Sequence, residues 1–237
     1  MSHIAVINES SKISDADVRK MLPAFNQQWN QDLRPIWGTE AAKFGFVRNG
    51  HAPPAGAWWM VFLDNSDQAN VLAYHDLTNE GWPIAKVFVE SILSDNGSVS
   101  VAATHELCEM AVDPWVNTAY LDSHSVFWAG EICDPVEDDG YGYEIGGVLV
   151  TDFVTPDWFG HQHAGTQIDF RRHAGKAFEI MSGGYAQKFE LHHGWQQVTG
   201  AKARHSKMAV HPAPGSRRER RSRQWKSPLK RSIRKWG

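Results

Sequence analysis

Apolar positions first recur at helical spacing at Val18, Met21, Leu22, Phe25 and Trp29. Ser14 stands where an N-cap belongs, and Asp15 and Asp17 fall in the first turn, where a carboxylate meets the positive end of the helix dipole. The pattern predicts a helix closed by Pro35 and Gly38, with Pro23 either kinking it or shifting its start. Ile4 to Asn8 alternates weakly and reads as a short strand. Ala41 to Val47 and Ala57 to Asp64 read as strands on either side of a Gly50, Pro53, Pro54, Gly56 loop. Trp58 and Trp59 are neighbours, so a strand turns them to opposite faces, as in a sheet covered on both sides. Val71 to His75 and Ile84 to Val89 complete the strands of this half, separated by a Gly81-Trp82-Pro83 turn.

A second helix is predicted to begin near Ser98 or Ser100. It ends by Val112, because Pro114 disfavours the helical region for Asp113. Beyond it the apolar runs are short and broken by glycine: Val126 to Cys133, Tyr143 to Phe153, Ala177 to Ile180 and Tyr185 to Leu191, with a short helix near Asp157. The fold class that follows is α+β, a mixed sheet with a chemically loaded helix, then a half rich in loops and strands.

That second helix carries the candidate chemistry. His105 and Glu109 are four residues apart, so an imidazole nitrogen and a carboxylate oxygen share one helix face and can reach one metal ion. Glu106 lies about 100° further round, where a zinc peptidase holds the general base of HExxH. The second histidine is here a glutamate. With 12 His and 12 Glu in 237 residues, chance supplies roughly 0.03 HExxE segments. The pattern HExxHxxGxxH is excluded, because its glycine would fall on Val112 and its last histidine on Trp115. Glu131 and Asp134 offer further carboxylates downstream, and Asp113, one turn beyond Glu109, is a reserve ligand.

Composition adds a split. The formal net charge is −3, but residues 215–237 hold ten Lys/Arg against Glu219 alone, a net of +9, leaving 14 basic and 26 acidic residues elsewhere, a net of −12. The basic extension is too polar to fold alone. Its charge and its tryptophans, Trp225 and Trp236, suit nucleic acid, a homo-oligomer by exchange onto acidic bodies, or the acidic site itself. The chain reads as one domain, 1–214, divided into 1–113 and 114–214, plus the extension 215–237. No apolar leader follows the N-terminus and no run of 18 apolar residues occurs, so a cytoplasmic protein without a membrane segment is expected. Cys108 and Cys133 are expected as buried free thiols in a reducing compartment. Of the eleven tryptophans, the nine outside the extension are assigned to the core.

His105-Glu-Leu-Cys-Glu109, Asp113 to Tyr120 and Glu131-Ile-Cys-Asp134 together resemble the HELxE, NPxxNAWY and EIGDxC pattern of plant Exordium (phosphate-induced) proteins and their bacterial relatives. They also resemble bacterial proteins with an HELxEMxxDP core. The match covers residues 104–136 and implies a zincin-like metallopeptidase fold, whose N-terminal half shares the order strand, helix, several strands, metal helix. In the gluzincin arrangement a later glutamate completes the ligands and a following aspartate orients a ligand histidine, and Glu131 and Asp134 resemble that pair. The implied set is His105, Glu109 and Glu131 as ligands, Glu106 as base and Asp134 as acceptor for the His105 imidazole N–H. Zinc is the first metal expected, with manganese, iron or calcium brought within range by the added oxygen ligand. Two carboxylates neutralise a divalent ion, which makes it a weaker Lewis acid. The expected function is hydrolysis of a peptide or protein substrate along the edge of a strand such as Ile84 to Val89, with Tyr143, His161 or His163 as oxyanion donors. The alternative is a catalytically silent scaffold whose tail mediates assembly.

Overall fold

The structure, a computed structural model, describes residues 1–48, 50–67, 71–160 and 167–201. Strand β1 (Ser2–Asn8) leads into helix α1 (Asp15–Gln27), where the Ser14 side chain accepts the Asp17 amide as a cap. Pro23 lies inside α1, and the rod continues through a wide π turn, Gln28–Leu33, into α2 (Arg34–Trp37). Pro35 lies in the first turn of α2, directly after the π turn, and does not end the rod. Gly38 ends it at φ 66°, the left-handed closure that glycine adopts without a Cβ penalty.

Strands β2 (Ala42–Val47), β3 (Trp58–Leu63), β4 (Ala73–Leu77) and β5 (Pro83–Phe88) follow. They join β1 in a mixed sheet of order β2-β1-β3-β5-β4, parallel except for the antiparallel edge strand β4. Trp58 packs at 6.2 Å on Trp29 of the helical layer, while Trp59 faces the other way and is partly exposed. The candidate docking strand Ile84 to Val89 is corrected here: β5 is paired on both sides, and the edge belongs to β4.

A short helix α3 (Val89–Ser94) precedes α4 (Val99–Val112), capped by Ser98, which accepts the Val101 amide. All of α4 except Ala102 and Val112 is buried. One side packs on β5 and β4; the other meets the C-terminal half, where β6 (Ala119–Leu121), β7 (Phe127–Ala129), β8 (Tyr143–Ile145) and β9 (Val148–Val150) follow. Polar stitches fix that second contact. Ser100 Oγ donates to the Leu149 carbonyl at 2.6 Å, and Thr104 Oγ1 accepts the Thr151 amide at 2.9 Å. Strands β10 (Tyr185–Glu190) and β11 (Gly194–Thr199) extend β6 and β7 into a sheet of order β11-β10-β7-β6, while β8 and β9 form a separate hairpin.

The main core runs through both halves, from Ile4, Val6 and Phe62 to Met110, Ile132, Phe153 and Trp158. A 3-10 turn, Pro156–Phe159, stands where a short helix was expected. Ala177 to Ile180, expected as a strand, forms none, and β6 and β11 were not anticipated. Among the described residues no helix is long and apolar enough to cross a membrane. The basic extension 215–237 lies outside the described residues.

Close backbone contact positions the segment that carries Asp134. A Cβ added at Gly184 would stand 2.5 Å from the Pro135 carbonyl oxygen, with Met181 donating to that same oxygen at 2.9 Å. Gly184→Ala is therefore expected to lower unfolding free energy by about 1–3 kcal/mol through overpacking. Gly45→Ala, in the open on β2, should be neutral or mildly stabilising. Urea denaturation of both variants checks the contrast.

Candidate metal centre

His105, Glu106 and Glu109 project from α4 into the interior at 7%, 3% and 0% exposure, where unpaired charge is not tolerated. His105 Nε2 lies 3.2 Å from Glu109 Oε1 and 3.2 Å from Asp134 Oδ1. Asp134 opens a 3-10 turn, Asp134–Val136, just after β7, so backbone rather than side-chain reach delivers it. The Cys133 amide donates to Glu109 Oε1 at 3.3 Å, which joins the turn to the helix. One donor atom from each of His105, Glu109 and Asp134 falls within 4.8 Å of the others.

The sequence reasoning missed His75. It stands on β4 at 0% exposure, its Nδ1 3.4 Å from Glu106 Oε2 and 3.5 Å from Glu109 Oε2. Its Nε2 faces Glu131 Oε2 at 3.8 Å. Glu109 therefore reaches one imidazole with each oxygen. Glu131, nominated with His105 and Glu109, groups instead with His75 and Asp113. Asp134, nominated as an outer acceptor, approaches the same nitrogen as Glu109 does. The available signal for His75 was a His-Asp pair inside an apolar strand, both of them buried.

Electrostatics shows what the cluster lacks. Burial opposes charge on His105, yet Glu109 and the hydrogen bond to Asp134 prevail and hold its pKa well above the usual value. Burial, reinforced by Glu109, drives the Asp134 carboxyl well above the usual range. Burial likewise pushes Glu137 up to about 7, against the attraction of His105. Both carboxyl shifts favour the protonated form, as expected in a pocket short of positive charge. Asp134 Oδ2 and Glu137 Oε2 are sealed from solvent with no hydrogen-bond partner among the described residues. A divalent ion fits this donor set, because it satisfies such oxygens while displacing the protons.

Asp113 closes α4 and its Oδ1 accepts the Asn117 and Thr118 amides at 2.8 and 2.9 Å. Those bonds hold a turn in which buried Val116 sits at φ 52°, a strained value for a β-branched residue. Tyr143 is committed elsewhere, donating to Asp32 Oδ2 at 2.7 Å. His161 and His163 lie outside the described residues. Cys108 and Cys133 are free and buried, and burial together with the Cys108 thiol raises Cys133 well above its ordinary value.

Compared with models of known protein families, with curated proteins and with solved structures, the chain shows no match.

A separate group, Asp152, Asp169 and His173, ties the 167–175 segment to the chain after β9. His173 Nδ1 lies 3.0 Å from Asp152 Oδ2 and 3.4 Å from Asp169 Oδ2. The remaining carboxylate oxygens accept the amides of Phe153, Arg171 and Ala174. These bonds satisfy the group internally, as a strut. Burial and a hydrogen bond to Asp169 push Asp152 from 3.8 up to about 9. A folded pKa above the unfolded one means the native state holds the proton more tightly. That contribution is complete below the unfolded value and is lost as pH rises through about 9. Asp152→Asn, which cannot ionise, is expected to flatten the decline in stability between about pH 5 and about pH 8.5. Denaturation of chelator-treated protein at both values reads the slope.

Proposed function

We propose that the chain is a metal-dependent peptide hydrolase of zincin-like architecture whose ion is held by His105, Glu109 and Asp134. The observation that carries this reading is the convergence of Glu109 Oε1 and Asp134 Oδ1 on His105 Nε2 at 3.2 Å each. The order of elements from β1 through α1 and the mixed sheet to α4 supports the architecture, as does the resemblance over residues 104–136. When bound, the ion supplies Lewis acidity to a scissile carbonyl and lowers the pKa of water. Zinc remains the first choice for one imidazole and two carboxylates, with manganese, iron and calcium next.

The chain's own groups do the rest. Glu106, adjacent to His105 on α4, takes the proton of the attacking water and delivers it to the leaving amine nitrogen. His75 Nδ1, at 3.4 Å from Glu106 Oε2, orients that carboxylate. An extended substrate pairs with β4, whose outer side meets no other described strand, rather than with β5.

A second reading has its own observation. The groups around His105 are nearly all sealed, and closed ligand sets are typical of structural ions, whereas catalytic ones keep an open position. On that reading the ion ties α4 to the turn at Asp134 and no chemistry follows. Assembly or polyanion binding would then fall to residues 215–237. Glu106→Gln separates the two. The hydrolase reading expects metal content unchanged and peptide cleavage reduced about 10²–10⁴-fold, the usual weight of a general base. A digest of a peptide library, with elemental analysis of the same samples, reads both. Equal digestion by wild type and variant would leave only the structural ion.

A further inference from the structure

His105 and its partners use one side of the pocket. On the other side of Glu109 lie His75 of β4, Asp113 at the end of α4 and Glu131 after β7. One donor atom from each falls within 4.8 Å of the others, and none of the three is more than 3% exposed. The His75 Nε2 to Glu131 Oε2 separation, 3.8 Å, is too long for a hydrogen bond. It is near the spacing of about 3.4 Å between two donors held at about 2.0–2.2 Å on a tetrahedral ion. The other ring nitrogen, Nδ1, faces Glu109 Oε2 at 3.5 Å. Nδ1 also pairs with Glu106 Oε2 at 3.4 Å, and a histidine held by a carboxylate at one nitrogen, with the other turned toward a further carboxylate, has the arrangement that fixes the tautomer of a metal ligand. Asp134 Oδ2, in the adjoining His105 set, is sealed and without a hydrogen-bond partner among the described residues, so this acid-rich interior is short of positive charge.

We propose that the pocket takes a second divalent cation, bound by His75 Nε2, Asp113 and Glu131. Asp113 has its Oδ1 engaged by the Asn117 and Thr118 amides, which fix the carboxylate in place. Glu109 links the two ions: its Oε1 belongs to the His105 set, while its Oε2 lies 3.5 Å from His75 Nδ1. Occupancy at one position then adjusts the other through a single carboxylate. The inference rests on the reading of His105, Glu109 and Asp134 as the first position.

The test is a metal count on the full chain. Protein stripped with chelator is titrated with zinc alone, and separately with manganese alone, by calorimetry, with elemental analysis after dialysis. About two ions per chain are expected for wild type and about one for His75→Gln or Glu131→Gln. His105→Gln should also keep about one, at the His75 position. One ion in wild type, lost in His105→Gln and retained in His75→Gln and Glu131→Gln, would overturn the second position and leave the first intact. No ion in wild type would overturn the first reading itself. Glu131→Gln keeps the side-chain shape, so it decides the matter if far-UV circular dichroism shows that His75→Gln does not fold.

Discussion

Five carboxylates and two imidazoles, drawn from β4, α4 and the chain after β7, meet in the interior at 7% exposure or less. Removing each such charge from water costs several kcal/mol after relaxation, and pairing recovers this only where geometry and hydrogen bonds are complete. The imidazoles supply part of the compensation, and burial still drives the Asp134 and Glu137 carboxyls upward. A divalent ion would complete the compensation with better geometry, which is the ground for proposing a metal centre here rather than a network that merely stiffens the core.

The rest of the fold serves that cluster. Helix α4 is buried on both sides because it lies between the mixed sheet and the C-terminal half, so its polar residues have only one another and the segments beside them. The edge strand contributes His75 from one direction, and the turn at Asp134 enters from the other, held close by Gly184 and by the Cys133 amide on Glu109. The amides of Asn117 and Thr118 fix Asp113 and hold Val116 in a strained turn. Such strain persists only where the surroundings over-determine it, as at a site whose geometry must be kept.

Much of this was legible in the chain. Ser14 and Ser98 gave the starts of α1 and α4, Gly38 gave the end of the first rod, and the β-branched and aromatic runs gave the sheet strands. HExxE gave His105 and Glu109 because helical spacing is local and regular. His75 was not legible, since its place beside α4 follows from β4 pairing with β5, a contact that spacing does not encode. The choice between Glu131 and Asp134 was open for a related reason. A one-turn helix beginning at Asp134 decides which carboxylate meets His105, and such turns leave little periodicity. Ala177 to Ile180 has apolar content without a partner strand, and β6 and β11 exist only through pairing with β7 and β10.

The most direct test of the metal centre is anomalous diffraction from crystals soaked with zinc, recorded on both sides of the zinc absorption edge. The account predicts a peak at about 2.0–2.2 Å from His105 Nε2 and from oxygens of Glu109 and Asp134. A zinc-saturated crystal with no anomalous density among these three side chains, and with the His105 to Asp134 hydrogen bond intact, would contradict it.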